Sequence, residues 1–161
     1  MFIYIVVMSI MEVRFHDLVI EKATEADFDG VVSLLHQLWP GKDLESKVLF
    51  PIYASGVNDS RRAFLVARAA GKVVGFGCMT IKNDLWVAGN LAYVDELVVD
   101  EAFRGRGIGT RLMEEMVLIA DEHGCKKIEL DSAFHRVRAH EFYRNLGFEK
   151  RSFVFSKDLG D

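Results

Sequence analysis

The chain has little cysteine and proline, with two of each among its 161 residues. Cys78 and Cys125 lie far apart and form no Cys-x-x-Cys motif, which excludes a zinc ribbon and a disulfide-dense secreted scaffold. We therefore expect a reducing, cytoplasmic setting. A linker rich in proline, glycine or serine is also missing, and the length fits a single domain over residues 1–161.

An excess of basic residues is absent too, because 20 lysines and arginines stand against 24 aspartates and glutamates and give a formal net charge of −4. Proteins that coat nucleic acid carry a basic excess, so no nucleic-acid partner is expected. Half of the residues are hydrophobic and 27% are charged, which indicates a chain that buries a core and is not disordered.

The N-terminus is almost wholly apolar, with residues 1–10 reading MFIYIVVMSI. This run is shorter than the roughly 20 residues that a membrane-spanning helix needs, and it lacks the positive n-region and cleavage site of a signal peptide. Its β-branched and aromatic residues favour a strand. We expect residues 1–16 to form an extra apolar strand, buried against the domain or against a second copy in a homodimer, and we expect no membrane role.

The rest of the sequence predicts strands and helices in mixed order. A strand over residues 17–24 leads into a capping box of Thr24 and Asp27, and a helix with apolar residues at helical spacing follows. The order of elements is typical of an α/β fold with a mixed central sheet flanked by helices. The later elements are predicted at 44–53 (a helix, broken or bent near Pro51), 61–70, 73–81 and 91–99 (strands), 108–123 (helix), 127–130 (strand), 135–146 (helix) and 148–157 (strand).

A glycine-rich turn after the predicted strand 91–99 is the main functional signal. The first N–H groups of a helix have no internal partner, the helix dipole favours negative charge there, and glycine lets a phosphate approach the backbone closely. Two arginines add charge and a fork geometry that suits phosphate oxygens. The turn, which runs directly into a helix, therefore predicts a phosphate site and consists of Arg104, Gly105, Arg106, Gly107, Ile108, Gly109 and Thr110.

The spacing of the glycines excludes two common phosphate sites. A dinucleotide fingerprint GxGxxG would need glycine at Thr110 or at Leu112, and a Walker A loop GxxxxGK[ST] is not present. A dinucleotide-binding domain is therefore a poor alternative. What remains is the pattern RxxGxG from Arg104 to Gly109.

Two motifs in this sequence resemble those of the GNAT N-acetyltransferase superfamily. RGRGIGT after ELVVDEAF looks like the family's acetyl-CoA signature, and AHEFYRNLGF further along is similar to its AxxFYxxxGF pattern. The resemblance covers residues 17–157 and implies a GNAT-type acyl-CoA N-acyltransferase fold with acetyl-CoA as the acetyl donor.

The resemblance also implies roles for individual residues. Amides from Arg104 to Thr110 would hold the pyrophosphate of CoA, and Tyr143 matches the tyrosine that acts as the general acid in the family. Arg136 stands where the family often has an asparagine that contacts the CoA arm, so this contact is expected to differ. The last strand residues before the turn would offer backbone groups to the pantetheine arm; they are Leu97, Val98 and Val99.

Acetyl transfer to an amine requires a proton acceptor near the amine and benefits from a proton donor near the departing thiolate. Tyr143 is the predicted donor, because a phenol can supply a proton. Glu96 and Asp95 are the candidate acceptors, and strand alternation is expected to send them to opposite faces. We favour Glu96. The alternatives are a structural ion pair for Glu96 and a half-buried core position for Tyr143.

Several residues are weaker candidates for contact with the acceptor. Trp39, Tyr53 and Trp86 could line its pocket or equally pack in the core, and Asp131 could attract an amine cation. No metal site is expected, because the five histidines form neither HxxxH nor HExxH. Cys78, in an apolar strand, is expected to be a small buried hydrophobe.

The sequence therefore predicts an N-acetyltransferase that moves an acetyl group from acetyl-CoA directly to a primary amine of a small molecule or a peptide. The alternative is a CoA-binding regulatory module without catalysis, and turnover with a panel of amines would separate the two. The segment that selects the acceptor, about residues 39–59, carries no recognisable signature.

Overall fold

The computed structural model describes residues 18–160, so the apolar strand predicted within residues 1–16 lies outside the described residues. The chain divides into two compact units between Glu129 and Leu130. Within the described range, no helix is long and apolar enough to cross a membrane.

Among residues 18–160, a sheet of five strands forms the centre of the fold, and the spatial order of the strands is the same as their order in sequence. The first four strands pair antiparallel with their neighbours. The strands are β1 (Val19–Lys22), β2 (Arg62–Ala69), β3 (Lys72–Asp84), β4 (Gly89–Val99) and β5 (Cys125–Leu130). The helices of the first unit are α1 (Phe28–Leu38), α2 (Ser46–Val57) and α3 (Ile108–Glu122), and short 3-10 turns at Glu25–Asp27 and Glu101–Phe103 precede α1 and α3.

The predicted capping residue at the start of α1 is held by an ion pair as well as by hydrogen bonds. The Asp27 carboxylate accepts hydrogen bonds from the N–H and the hydroxyl of Thr24, at 2.8 and 3.0 Å, and from the guanidinium of Arg68. Arg68 also pairs with Glu21. Burial alone would raise the pKa of Asp27, but these hydrogen bonds outweigh it and lower the pKa. The cluster fixes α1 to β1 and β2.

Helices α1 and α2 cover one face of the sheet through a cluster of aromatic side chains. The Phe64 ring lies 5.6 Å from the ring of Tyr53 and 5.7 Å from that of Phe76, measured between centroids. Gly56 of α2 lies so close to Phe64 that an added Cβ would be 2.3 Å from the ring. Pro51 lies inside α2 and does not end it, so the predicted helix extends to Val57.

Helix α3 covers the other face, where two glycines of β3 let it approach closely. A Cβ on Gly75 would lie 3.0 Å from Leu112, and one on Gly77 would lie 3.1 Å from Met116. Leu112 and Met116 are fully buried. The apolar stripe predicted for residues 108–123 is therefore confirmed as a core-facing stripe.

The second unit contains helix α4 (Val137–Asn145), which lies within the predicted helix 135–146. Gly147 follows it with a φ of +86°, and the N–H of Phe148 donates to the carbonyl of Tyr143 at 3.0 Å. The strand predicted over 148–157 is wrong, because residues 148–160 have no regular secondary structure. The apolar residues in this stretch suit a strand, but a strand also requires a neighbour that accepts its ladder hydrogen bonds.

Candidate active site

The glycine-rich turn joins the end of β4 to the start of α3, as predicted. The Asp100 carboxylate accepts a hydrogen bond from the Ala102 N–H at 3.0 Å, and the Arg104 Nε donates to the Val99 carbonyl at 3.0 Å. These bonds anchor the turn to the end of β4. Arg106 lies over the ring of Phe103, with 5.4 Å from its Cζ to the ring centroid.

Gly105 and Gly107 have φ angles of +74° and +77°, which other residues adopt only with strain. An added Cβ at either position would meet nothing within 4 Å. The glycines are therefore needed for the backbone conformation and not for packing. They also leave the outer surface of the turn open.

The start of α3 presents backbone donors at this open surface. The first helical hydrogen bond runs from the Arg111 N–H to the Gly107 carbonyl, at 3.0 Å. The preceding amides, those of Ile108, Gly109 and Thr110, have no acceptor one turn earlier in the helix. Amides so placed can bind the oxygens of a phosphate. The predicted pantetheine residues Leu97, Val98 and Val99 form the end of β4 that leads into the turn.

A bulge in β4 brings the two candidate carboxylates together. Cys78 of β3 stands opposite Glu96 and Met79 stands opposite Val94, so Asp95 is an extra residue without a partner in β3. The expectation that Asp95 and Glu96 point to opposite faces is wrong. The carboxylate oxygens of both residues and the sulfur of Cys78 all lie within 4.8 Å of one another. A bulge interrupts the alternation of side chains, which a local sequence pattern does not reveal.

The environment of Glu96 raises the pKa of its carboxyl group above the ordinary value. Burial raises its pKa and the charge of Asp95 raises it further, while the Cys78 hydrogen bond and the charges of Arg62 and Lys42 act in the opposite direction. The Cys78 thiol donates to Glu96 Oε2 at 2.5 Å, and the Thr80 hydroxyl donates to Asp95 Oδ2 at 2.7 Å. A half-buried carboxylate with a raised pKa is a suitable proton acceptor near neutral pH.

Cys78 is a buried thiol, in agreement with the prediction, and only 1% of its surface is exposed. Burial and then the charge of Glu96 hold its pKa well above the ordinary value. Cys78, Asp95 and Glu96 could together surround a metal ion. A thiol must lose its proton to act as a ligand or a nucleophile, so this environment disfavours both roles.

Within the second unit, Tyr143 lies on α4 between two other aromatic rings. Its ring centroid is 5.2 Å from that of Phe142 and 5.9 Å from that of Phe148. Burial raises the pKa of Tyr143, the charge of Arg136 lowers it and that of Asp131 raises it. The phenol is therefore protonated at neutral pH. The charges of two other predicted site residues of this unit, Arg136 and Asp131, therefore act on Tyr143.

The aromatic candidates for the acceptor pocket have three different environments. Tyr53 follows the core alternative, because it is 6% exposed, packs in the aromatic cluster and donates from its hydroxyl to the Thr24 carbonyl at 2.8 Å. Trp86 lies at the tip of the β3–β4 hairpin and is 82% exposed. Trp39 ends α1 and is half-buried, with the Lys42 ammonium 4.9 Å from its ring centroid.

Arg62 is a polar residue of this region that sequence reasoning missed. Its guanidinium lies over the ring of Phe64, with 4.7 Å from Cζ to the centroid. Its Nε is buried and has no hydrogen-bond partner among the described residues. The available signal was an arginine at the start of an apolar strand, two residues before Phe64 and hence on the same face.

Comparison with known proteins gives consistent matches. A sequence model described as the acetyltransferase (GNAT) family matches residues 28–148. A probable glucosamine 6-phosphate N-acetyltransferase from Oryza sativa is 31% identical over 128 residues, which are 76% of this chain and 75% of the relative. An aminoalkylphosphonate N-acetyltransferase from Salmonella typhimurium is 29% identical over 137 residues, 85% of this chain and 88% of the relative. The structure of a putative acetyltransferase from Agrobacterium tumefaciens superposes with a TM-score of 0.79 at 25% identity, over 87% of this chain and 99% of that one.

Proposed function

Since the chain belongs to the GNAT acetyltransferase family and is an acetyl-CoA-dependent N-acetyltransferase, we propose that its acceptor is the primary amine of a small molecule. Two relatives that align over most of this chain are described as acting on small amines, an amino sugar phosphate and an aminoalkylphosphonate. The sequence alone allowed either a small molecule or a peptide as the acceptor, and this likeness favours a small molecule.

In this proposal, acetyl-CoA is held by backbone groups. The amides of Ile108, Gly109 and Thr110 bind the pyrophosphate, with Arg104 and Arg106 beside them. The open surface over Gly105 and Gly107 supports this assignment, because any side chain there would occupy the space that the phosphates need. Leu97, Val98 and Val99 contact the pantetheine arm, and Arg136 replaces the contact of the asparagine that is frequent in the family.

Glu96 is the proton acceptor, and its position in the bulge is the observation that carries the proposal. An amine must be neutral to attack the thioester carbonyl, so its proton passes to the Glu96 carboxylate directly or through a water molecule. The nitrogen then forms a bond to the acetyl carbon, and the carbon–sulfur bond breaks. Tyr143 donates its proton to the departing thiolate, and the raised pKa of its phenol keeps that proton in place beforehand. The extra proton on the acylated nitrogen then returns to the Tyr143 phenolate through water, which leaves a neutral amide and the CoA thiol, and Glu96 releases its proton to solvent. No covalent enzyme intermediate is involved.

The function is tested by binding and turnover in sequence. Acetyl-CoA is titrated into the wild type and into Gly107→Glu. The wild type should bind it, and the variant should not. A panel of small amines and peptides is then assayed for CoA release with the wild type, Glu96→Gln and Tyr143→Phe. Turnover of a small amine that both substitutions reduce supports the proposal. Acetyl-CoA binding without turnover of any amine would favour the inactive CoA-binding module.

Three further expectations from the sequence belong to this proposal. We infer that residues 1–161 act as one domain, that the protein forms a homodimer, and that it works in the cytoplasm. Cys78 and Cys125 are both free, which agrees with a reducing compartment. Light scattering after size-exclusion chromatography measures the mass directly, and a monomer at working concentrations would contradict the dimer.

A further inference from the structure

Arg62 differs from Arg68 of the same strand and from Arg61 just before it, because both of these have partners and the Arg62 Nε has none among the described residues. Arg68 pairs with Glu21 and Asp27. Arg61 donates to the Ile81 carbonyl at 3.0 Å. The ion pairs of the described residues involve Arg68, Lys72 and Lys127 as cations, and not Arg62. A guanidinium has five N–H donors, and a buried donor without an acceptor is rare in native proteins, so the Nε of Arg62 requires an explanation.

The strand register places Arg62 on the same face as the proposed proton acceptor. Arg62 stands opposite Thr80 in β3, and the Thr80 hydroxyl donates to Asp95. Cys78, two residues before Thr80 in β3, stands opposite Glu96 in β4. Directly opposed residues project from one face of a sheet. Arg62 therefore lies two strands from Glu96, a lateral separation of roughly 10 Å.

Phe64 holds the guanidinium in place without neutralising it. The stacked ring restricts the orientation of the Arg62 side chain and supplies no negative charge. Lys42 adds a second cation from the loop between α1 and α2, where it lies over Trp39. The charges of Arg62 and Lys42 both act on Glu96. Among the described residues neither cation forms a direct ion pair, so this end of the sheet holds two cations near the carboxylates that no salt bridge occupies.

We infer that Arg62 binds an anionic group of the acceptor, so that the preferred acceptor is a small amine that also carries a phosphate or a phosphonate. The ammonium end of such a molecule complements Asp95 and Glu96, and its anionic end complements Arg62 and Lys42. A planar guanidinium is well suited to two oxygens of one phosphate group. The inference rests on the proposed function, because it assigns the acceptor of that same site.

The test compares matched pairs of amines that differ in the anionic group. Glucosamine 6-phosphate is compared with glucosamine, and 2-aminoethylphosphonate is compared with ethanolamine, at one pH so that any change in the basicity of Glu96 cancels in the ratio. The wild type should show kcat/KM at least about tenfold higher for the anionic member of one pair. Arg62→Gln should bring that ratio close to one, and Arg62→Lys should keep part of it.

Arg61→Gln is the matched control, because it removes a neighbouring arginine that already has partners. It should keep the wild-type ratio. The inference would be overturned if Arg62→Gln lowered kcat/KM equally for both members of a pair. It would also be overturned if the wild type did not prefer the anionic member of either pair.

A separate measurement distinguishes this failure from failure of the proposed function. If no amine is acetylated, the proposed function fails. Binding of glucosamine 6-phosphate and of 2-aminoethylphosphonate to the CoA-loaded protein is then measured by calorimetry. Tighter binding to the wild type than to Arg62→Gln would sustain the role of Arg62, and equal or absent binding would refute it.

Discussion

Replacement of Gly107 by alanine separates the two roles of the glycine-rich turn, backbone conformation and ligand access. Gly107 has a φ of +77°, and an added Cβ would touch nothing within 4 Å. The only structural penalty is therefore the left-handed conformation, which costs an ordinary residue about 1–2 kcal/mol. For a chain of this size, that corresponds to a melting temperature lower by roughly 2–8 °C.

Gly124 is a matched control at the other end of α3. It has a φ of +64°, and an added Cβ there would also meet nothing within 4 Å. Gly124→Ala should therefore lose a similar amount of stability in the absence of ligand. It should not affect acetyl-CoA binding, because it lies at the opposite end of the helix from the proposed pyrophosphate site.

The assay is thermal unfolding with and without acetyl-CoA. At a concentration 100 times the wild-type Kd, the ligand stabilises the wild type by about 2.7 kcal/mol. We expect a methyl group in the turn to weaken binding at least tenfold, which leaves Gly107→Ala about 1.4 kcal/mol or less of this stabilisation. Gly124→Ala should keep all of it. Equal ligand stabilisation of both variants would refute the placement of the pyrophosphate at this turn.

Four other predictions concern the proton transfers and the anchoring of α1. Glu96→Gln should lower kcat/KM by about 10²–10⁴-fold. The rate needs ionised Glu96, and the charge of Asp95 raises the pKa of Glu96, so Asp95→Asn should move the acid limb of the pH–rate profile to lower pH. An acid limb that does not move would exclude this coupling. Tyr143→Phe should lower kcat by about 10²–10³ with little change in acetyl-CoA affinity; an unchanged kcat in single-turnover assays would remove Tyr143 as the acid. Asp27→Asn should lower the free energy of unfolding by about 2–3 kcal/mol in urea titrations at neutral pH. The pKa of Asp27 is lower in the folded state than in the unfolded state, where it is about 3.9. The stability difference between wild type and Asp27→Asn should therefore shrink as the pH falls from about 3.9 through the folded-state pKa. A stability difference that stays constant with pH would contradict the ion pair with Arg68.

The turn and its helix were predictable because their signals are local. The alternate glycines, the apolar strand before them and the helical spacing after them all lie between residues 91 and 123. Helix α3 accordingly begins at Ile108 in both prediction and structure, and it ends at Glu122, one residue before the predicted end. Helix α4 was predictable for the same reason, because the motif AHEFYRNLGF is also local.

The arrangement of the carboxylates was not predictable, because it depends on pairing between strands. Asp95 and Glu96 share a side only because β4 has one residue more than β3 at that point. The same limit applies to residues 148–157, where apolar composition suggested a strand but nothing local reports whether a neighbouring strand is available. The environment of Tyr53 also depends on a distant partner, because its hydroxyl donates to the carbonyl of Thr24.

Phe64 has a consequence for how this enzyme can change its acceptor over evolution. One ring supports α2 at Gly56, packs against Tyr53 and Phe76, and carries the Arg62 guanidinium. A substitution that reshapes the site at this ring would therefore also weaken the core. Laboratory selection for new acceptors should instead accumulate changes at the exposed residues 41–43 around Lys42, while Phe64 stays fixed.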